Sequence, residues 1–247
     1  MPNLSLAHRN LQAEAMDDPD LPRDEHELAL RGLARLNRCS GVASAMYRRL
    51  RRLAMTSENQ TLHLLDVASG SGDVPLRWAQ WAQKDGWNLK LTLLDLRSVA
   101  VEEQQRRAHA ADVHVLSIQH DCLHSPLPSG FDVATCSLFM HHLETQQAVQ
   151  LLQAMREASN GPVIICDLER SYWNLALVAL ASRLLSRSEV VHRDATLSIQ
   201  GAFTIPEFQT ISQQALGHPI KIQRLFPCRF VATIDHVVSK QPIPSFA

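Results

Sequence analysis

The chain has 247 residues, 45% of them hydrophobic, and a formal net charge of −1. It is long enough to bury one sizeable core, and its near-neutral charge supplies no global field to attract nucleic acid or an anionic membrane. Five scattered cysteines without Cys-x-x-Cys spacing indicate neither a disulfide framework nor a zinc site, and no metal site is predicted. The first residues lack the apolar core of a signal peptide, and no run reaches membrane-spanning length. We therefore expect a cytoplasmic protein without a transmembrane segment.

The first 57 residues are predicted to form a helical extension. Residues 17–27 are acidic, contain two prolines and are expected to be irregular. Residues 28–55 predict two helices that are separated at Cys39-Ser40-Gly41. One face of the second helix carries Arg48, Arg49, Arg51 and Arg52. This run of arginines indicates either a solvated helix surface or a patch that binds an anionic or lipid-linked partner.

The most informative segment reads Leu64-Leu65-Asp66-Val67-Ala68-Ser69-Gly70-Ser71-Gly72-Asp73-Val74-Pro75. Residues 62–67 predict a buried strand of a parallel sheet. Gly70 and Gly72 lack a Cβ, so the turn after the strand can adopt positive φ and approach a bound molecule closely. Pro75 suits the first turn of a helix, and Asp73 complements the start of that helix. The order of strand, glycine-rich turn and helix predicts a cradle for a small ligand.

Two details narrow the choice of ligand. A dinucleotide fingerprint needs a third Gly or an Ala where this chain has Pro75, so NAD is disfavoured. No Gly-Lys-Ser/Thr phosphate loop occurs, so ATP and GTP are disfavoured as well. Taken alone, the turn also fits a tight connection that binds nothing.

Further apolar runs predict four more strands, at 89–94, 113–119, 131–137 and 162–166. Helical patterns occupy the segments 75–84, 98–111 and 145–159. The second strand stops at Asp95, beside the glycine-rich turn, where a carboxylate can accept two hydrogen bonds from a ribose diol. The sequence therefore predicts five βα units in series.

The region after the fifth strand is predicted to shape the substrate side, with residues 172–215 as a lid or insert. An apolar helix is expected at 172–185, where Trp173 and its neighbours either line a pocket for an apolar substrate or pack on the sheet. Thr204 is a plausible N-cap for a further helix. Residues 220–225 and 230–238 predict a closing antiparallel pair of strands.

The motifs between residues 60 and 170 form a set. They are Leu64 to Asp73, Leu93-Leu94-Asp95, His120-Asp121-Cys122, Phe131-Asp132-Val133-Ala134 and Phe139-Met140-His141-His142-Leu143. In this order they resemble the class I S-adenosylmethionine-dependent methyltransferases, above all those of ubiquinone and menaquinone biosynthesis. The resemblance implies an α/β, Rossmann-like fold whose seven-stranded sheet is mostly parallel with an antiparallel C-terminal edge. It also implies a methyltransferase domain over residues 58–247, with residues 1–57 as a cap over the active site.

The resemblance further implies S-adenosylmethionine as the cofactor. Gly70 and Gly72 would approach its methionine and ribose part, and Asp95 would bind the ribose hydroxyls. Asp121 and Cys122 would hold the adenine edge. The full predicted set of cofactor-binding residues is Asp66, Ala68, Gly70, Gly72, Asp95, Leu96, Asp121, Cys122 and Ser137.

Three members of this set also fit other interpretations. Ala68 stands where many family members carry glycine, which indicates that the first position of the turn needs no positive φ. Asp66 is equally suited to capping amides of the turn, and Asp121 to a solvated turn. Asp95 has the most specific predicted task of the set.

Methyl transfer asks little of side chains, because the sulfonium carries an activated methyl group and the main need is an in-line approach of the acceptor. His141 and His142 follow the fourth strand, and either imidazole could take a proton from the acceptor. A packed or helix-starting histidine is the alternative for each. His192 and Arg229 are weaker candidates for the acceptor pocket.

The expected acceptor is a small molecule rather than nucleic acid, because the segment after the fourth strand lacks a Pro-Pro-aromatic motif that clamps a base. The resemblance points to quinones, phenols or polyketide-derived acceptors, methylated at oxygen or carbon. Two other functions stay open. One is an NAD(P)-dependent oxidoreductase, against which Pro75 counts, and the other is a non-catalytic domain that binds a partner through the arginine-rich helix. The sequence does not indicate the oligomeric state.

Overall fold

The computed structural model describes residues 6–18, 20–57 and 59–235. Its strands are β1 (Thr61–Val67), β2 (Asn88–Asp95), β3 (Val115–Gln119), β4 (Val133–Ser137), β5 (Val163–Leu168), β6 (Lys221–Leu225) and β7 (Arg229–Ile234). They form one sheet in the order β3-β2-β1-β4-β5-β7-β6. β1 to β5 run parallel, whereas β7 is antiparallel to both β5 and β6. The predicted seven-stranded α/β fold with an antiparallel C-terminal edge is confirmed.

Eight α-helices are found in the described part of the chain. They are α1 (Arg23–Cys39), α2 (Val42–Thr56), α3 (Asp73–Asp85), α4 (Ser98–Ala110), α5 (Thr145–Ala158), α6 (Tyr172–Leu185), α7 (Glu189–Gly201) and α8 (Ile205–Leu216). Successive residues of β1 belong to two different hydrophobic clusters, as the alternation of side chains along a strand requires. Leu64 packs with α2 and α3, whereas Leu65 packs with α5 and α8. The sheet is therefore covered by helices on both faces.

The N-terminal region differs from the sequence prediction in one respect. Residues 17–27 were expected to be irregular, but α1 already begins at Arg23, and Asp24 and Glu25 lie in its first turn. Carboxylates there complement the partial positive charge of the helix N-terminus, which explains why an acidic segment is helical. Pro19, the first proline of this segment, lies outside the described residues. The predicted break at Cys39-Ser40-Gly41 is confirmed, and Gly41 has a φ of 75°.

The arginine-rich face of α2 is partly engaged within the molecule. Arg49 donates to the Ala45 carbonyl and to the Gln223 side chain, and Arg51 pairs with Asp85 at 2.9 Å. The opposite face of α2 belongs to the main core, since Met46 and Leu50 are fully buried in the cluster that includes Leu64. α2 is thus continuous with the core of the sheet, and the domain boundary at residue 57 stays a prediction.

The C-terminal half contains one helix that the sequence did not predict, α7. α6 has the predicted bounds. Trp173 is 71% exposed and Leu184 is 74% exposed, whereas Leu175 and Val178 are partly buried against a cluster that includes Leu168 of β5. The part of the predicted last strand beyond residue 235 lies outside the described residues. Within the described ranges, the structure has no helix that is both long and apolar enough to cross a membrane.

Candidate functional site

The carboxyl ends of the parallel strands meet at one edge of the sheet, and the predicted site residues follow these strand ends. β1 lies between β2 and β4, so the residues after these three strands are neighbours. In open α/β sheets this edge is where ligands bind.

The glycine loop, residues 68–72, turns sharply after β1. The Ser69 N–H donates to the Leu94 carbonyl at 2.8 Å, and the Gly72 N–H donates to the Ser69 carbonyl at 2.9 Å. Ala68, Gly70 and Gly72 all have positive φ, of 54°, 53° and 69°. The expectation that position 68 needs no positive φ is wrong, because the turn requires a left-handed residue directly after the strand.

The two glycines differ in their surroundings. A Cβ built on Gly70 meets no atom of the described chain within 4 Å, so the backbone there faces open space. A Cβ on Gly72 would lie 3.2 Å from Leu93 Cδ1 and 3.3 Å from Gln104 Cγ. Gly70 thus leaves room for a ligand to approach the main chain, whereas Gly72 allows the start of α3 to pack closely on its neighbours.

Asp95 joins the end of β2 to the glycine loop. Its Oδ2 accepts from the Gly70 N–H at 2.8 Å and its Oδ1 accepts from the Arg97 N–H at 3.0 Å. The Asp95 carbonyl in turn accepts from the His120 N–H at 2.8 Å, which ties in the end of β3. The carboxylate is therefore held at the point where the loop opens to space, and the residue after it, Leu96, is 56% exposed.

Asp66 lies deeper than the other predicted residues. It is fully buried, and its Oδ1 accepts from the Thr135 hydroxyl of β4 at 2.5 Å. Burial raises the pKa of Asp66 to about 7, against the opposing effect of hydrogen bonds from Thr135 and Ser69. Its Oδ2 is a buried atom with no hydrogen-bond partner among the described residues. A contact between Asp66 and a cofactor stays a prediction.

The residues after β3 and β4 line the same edge. Asp121 caps a turn: its Oδ1 accepts from the Leu123 and His124 amides, and its Oδ2 lies 2.9 Å from His124 Nδ1. Burial alone would raise the pKa of Asp121, but these hydrogen bonds outweigh it and lower the pKa. Burial raises the pKa of Cys122 to about 12, so this residue is a neutral thiol. Ser137 is the last residue of β4.

His141 and His142 lie on a short 3-10 helix after β4 (Met140–His142). The Nδ1 of His141 is 2.6 Å from Asp167 Oδ1, and its backbone N–H donates to Asp167 Oδ2 at 3.2 Å. Asp167 lies on β5, and both side chains are buried. Burial alone would raise the pKa of Asp167, but the His141 ring outweighs it and lowers the pKa. Sequence reasoning found no partner for His141, and the structure supplies one on the next strand.

An N-terminal segment covers these histidines. Arg9 donates to the His141 carbonyl at 2.9 Å, and its guanidinium lies 3.8 Å from the centre of the Phe203 ring. The Glu14 carboxylate lies 4.0 Å from His141 Nε2 and 3.9 Å from His142 Nε2. Burial raises the pKa of Glu14, against the opposing effect of both histidines. The sequence did not point to Arg9 or Glu14, which are remote from the other site residues along the chain. We call Glu14, His141, His142 and Asp167 the histidine cluster.

The two weaker candidates for the acceptor pocket have structural partners. The Nε2 of His192 lies 2.9 Å from the Ser186 carbonyl, beside its own helix start. Arg229 is buried on β7, where its Nη1 donates to the Pro227 carbonyl at 3.1 Å. Burial lowers the pKa of Arg229. Arg229 pairs with Leu168 of β5, next to Asp167 of the histidine cluster, and its charge interacts with the Asp167 carboxylate.

Comparisons with known proteins agree with this architecture. Residues 64–161 match the family model described as a methyltransferase domain. The ubiquinone/menaquinone biosynthesis C-methyltransferase of Rickettsia felis is 42% identical over 50 residues, which are 20% of each chain, so the match spans only about a fifth of that relative.

Two solved structures share the fold at low sequence identity. One is the magnesium protoporphyrin IX methyltransferase of Synechocystis, with 14% identity, coverage of 79% of this chain and 83% of that one, and a TM-score of 0.56. The other is an O-methyltransferase from neocarzinostatin biosynthesis, with 18% identity, coverage of 78% and 57%, and a TM-score of 0.53. The chain therefore shares the fold of these methyltransferases, and its residues 64–161 match a methyltransferase domain.

Proposed function

We propose that this protein transfers a methyl group from S-adenosylmethionine to a small apolar or aromatic acceptor. The observation that carries the proposal is the hydrogen bond from the Gly70 amide to the Asp95 carboxylate, at the point where the loop backbone faces open space. This arrangement offers an acceptor for ribose hydroxyls beside a backbone that a ligand can approach within van der Waals distance.

The residues of this edge fit the cofactor. Leu96 is exposed beside Asp95 and offers an apolar surface to a base, with Asp121 and Cys122 on the adjacent strand end. His120 Nε2 is buried without a hydrogen-bond partner among the described residues, and such atoms are commonly satisfied by a ligand or by water. When bound, the cofactor supplies an activated methyl group. The chain itself has to position the cofactor and orient the acceptor.

The acceptor side is proposed to lie between the histidine cluster and the elements that follow β5. The predicted cap and lid, residues 1–57 and 172–215, contact each other through α1, α6 and α7. α6 presents exposed Trp173 and Leu184, which suits an apolar or aromatic molecule better than nucleic acid. The neocarzinostatin enzyme was crystallised with 1,4-dihydroxy-2-naphthoic acid and S-adenosylhomocysteine, which supports a small aromatic acceptor here and favours methylation at oxygen.

We assign removal of the acceptor proton to the histidine pair. Asp167 fixes the orientation of His141 by accepting at Nδ1, which leaves Nε2 as the proton-accepting atom. His141 is 4% exposed beneath the Glu14 segment, whereas His142 is partly exposed and lies against Phe139. His142 is thus the more accessible base in this conformation, and His141 requires movement of the segment that carries Glu14.

The proposal is tested by calorimetric titration with S-adenosylmethionine, S-adenosylhomocysteine and NAD. Asp95→Ala removes a charged acceptor of hydrogen bonds, worth about 1.5–3 kcal/mol, and should weaken binding of the sulfur compounds about 10- to 100-fold. Asp132→Ala is the matched control, because the Asp132 carboxylate also accepts a backbone N–H, that of His63 at 2.8 Å, but at the opposite end of the strands. Failure of the wild-type protein to bind either sulfur compound, or binding of NAD instead, would overturn the proposal.

A further inference from the structure

Glu14, His141 and His142 bring three potential metal ligands together. One ligand atom from each residue lies within 4.8 Å of the other two. Glu14 and His141 are buried, and His142 is partly exposed. The Glu14 carboxylate oxygens lie 4.0 and 3.9 Å from the two imidazole Nε2 atoms, which is too long for a hydrogen bond. The carboxylate and the two nitrogens thus surround a common point without being hydrogen-bonded to one another.

We propose that this cluster binds a divalent first-row transition-metal ion through Glu14 and the Nε2 atoms of His141 and His142. Two imidazoles and one carboxylate are a ligand set typical of catalytic zinc and of non-haem Fe(II), with further positions left for water or substrate. Mg²⁺ and Ca²⁺ prefer oxygen ligands and are disfavoured. With metal–ligand bonds of about 2.0–2.2 Å, tetrahedral ligand atoms lie about 3.4 Å apart. The ligand atoms, which lie within 4.8 Å of one another in the described structure, would therefore draw closer together when an ion binds.

Asp167 provides the second observation. It lies 2.6 Å from the Nδ1 of His141, on the far side of the ring from Glu14. A carboxylate that accepts the Nδ1 proton leaves Nε2 with its lone pair directed at the metal position, and ligating histidines are almost always held in this way. Asp167 also accepts the His141 backbone N–H at 3.2 Å, so the ring and its main chain are fixed together.

Glu14 is held in place by the segment around it. The Ser198 hydroxyl donates to Glu14 Oε1 at 2.6 Å. The next two backbone amides, of Ala15 and Met16, donate to the Asp194 carboxylate at 2.9 and 3.1 Å. Both Ser198 and Asp194 belong to α7, so this helix positions the carboxylate against the histidines. The site is thus assembled by the N-terminal segment, the end of β4 and α7.

The ion and the proton compete for the same nitrogen atoms. A bound ion lowers the pKa of a coordinated hydroxyl or water. With both Nε2 atoms on the ion, an acceptor hydroxyl coordinated to it would release its proton to solvent, in place of the transfer to an imidazole that the proposed function assigns. This consequence rests on the proposed function, whereas binding of the ion rests on the geometry of the cluster alone.

The test is titration of the chelator-treated full chain with Zn²⁺ by calorimetry and with Co²⁺ by visible absorption. We expect one ion per chain and at least tenfold weaker binding in both Glu14→Gln and His142→Ala. Asp167→Asn should weaken binding about 10- to 100-fold through His141. His142→Ala changes a partly exposed side chain, so we expect this variant to fold. It therefore tests ion binding even if Glu14→Gln fails to fold.

The matched control is Glu189→Gln, which alters an exposed glutamate 3.5 Å from the Nδ1 of His192 and should leave ion binding unchanged. Absence of a stoichiometric ion, or wild-type affinity in both Glu14→Gln and His142→Ala, would overturn the inference. The titration needs no S-adenosylmethionine, so its failure is distinct from failure of the cofactor titration with Asp95→Ala.

Discussion

The glycine loop and the histidine cluster lie at the same edge of the sheet but are built in different ways. The loop with Asp95 is held by main-chain groups, through the Gly70 and Ser69 amides, and its parts lie close together along the chain. The cluster is held by side chains that come from the N-terminal segment, the end of β4 and β5. The first kind of site depends on backbone conformation, whereas the second depends on charges and hydrogen bonds between buried side chains.

The largest expected effect comes from breaking the side-chain site at Asp167. Asp167→Ala leaves His141 buried without its carboxylate, and removal of one partner of a buried pair costs about 3–5 kcal/mol. The free energy of unfolding, measured by urea denaturation, should fall by this amount. Asp132→Ala, which removes a carboxylate from an exposed position, should cost about 1 kcal/mol. Equal losses in the two variants would contradict the buried pair.

Asp66, which lies just before the glycine loop and accepts from Thr135 of β4, gives the stability a pH dependence. Its pKa is about 7 in the folded protein and about 3.9 when unfolded, so between these values the unfolded chain releases a proton that the folded chain keeps. Stability should therefore fall as the pH rises from about 4 to 7 and change little from this group above 7. The loss is at most about 4 kcal/mol.

Asp66→Asn isolates this contribution because an amide does not ionise. The stability of Asp66→Asn relative to the wild-type protein should increase between pH 4 and pH 8 in thermal or urea unfolding. A difference that stays constant over this range would show that Asp66 is already ionised in the folded state.

The glycine loop is broken by adding a single Cβ. Gly70→Ala and Gly72→Ala both place alanine at positive φ. This conformation should lower the free energy of unfolding by about 1 kcal/mol in each variant. Gly72→Ala should cost about 2 kcal/mol in all, because its Cβ also presses on Leu93 and Gln104, whereas the Cβ of Gly70→Ala enters open space. Urea denaturation of the two variants compares them directly. A larger loss for Gly70→Ala would contradict the packing of α3 described above.

The smallest expected effect is an increase in stability. Ala68→Gly relieves the left-handed conformation at φ 54°, worth about 1 kcal/mol, and loses part of this through the greater entropy of the unfolded chain. The net increase in unfolding free energy should be about 0.5 kcal/mol. A decrease would show that the sharp turn after β1 does not require a left-handed residue.

Much of the scaffold could be predicted because its signals are local. Apolar runs marked β1, β2 and β5 to within about two residues, and the break before Gly41 was visible as a small-residue interruption. α7 was not predicted from the sequence, because Asp194 interrupts the apolar stripe formed by Val191, Ala195 and Ile199. Asp194 accepts hydrogen bonds from backbone amides of the N-terminal segment. The left-handed conformation of Ala68 was not predicted, because the turn includes the hydrogen bond from the Ser69 N–H to the Leu94 carbonyl, which forms only in the folded sheet.

The two candidate sites also differ in how far local sequence signals predict them. Gly70, Gly72 and Asp95 follow strand ends that the sequence already marks, so their proximity could be predicted from the order of strands and loops. His141 and His142 could be identified as candidate site residues from the sequence, but the side chains that contact them could not. Glu14 lies in a segment without a periodic pattern, and the pairing of Asp167 with His141 requires β4 and β5 to be adjacent with the observed register. Such a constellation exists only in the folded chain.

The proposed function requires the glycine loop and Asp95 to bind S-adenosylmethionine. The most direct measurement is a crystal structure of the protein with S-adenosylhomocysteine, which lacks the transferable methyl group. We expect the ribose hydroxyls within hydrogen-bond distance of the Asp95 carboxylate, with the ligand over the backbone of Gly70. A nucleoside bound elsewhere, or a loop without ligand at saturating concentration, would contradict it.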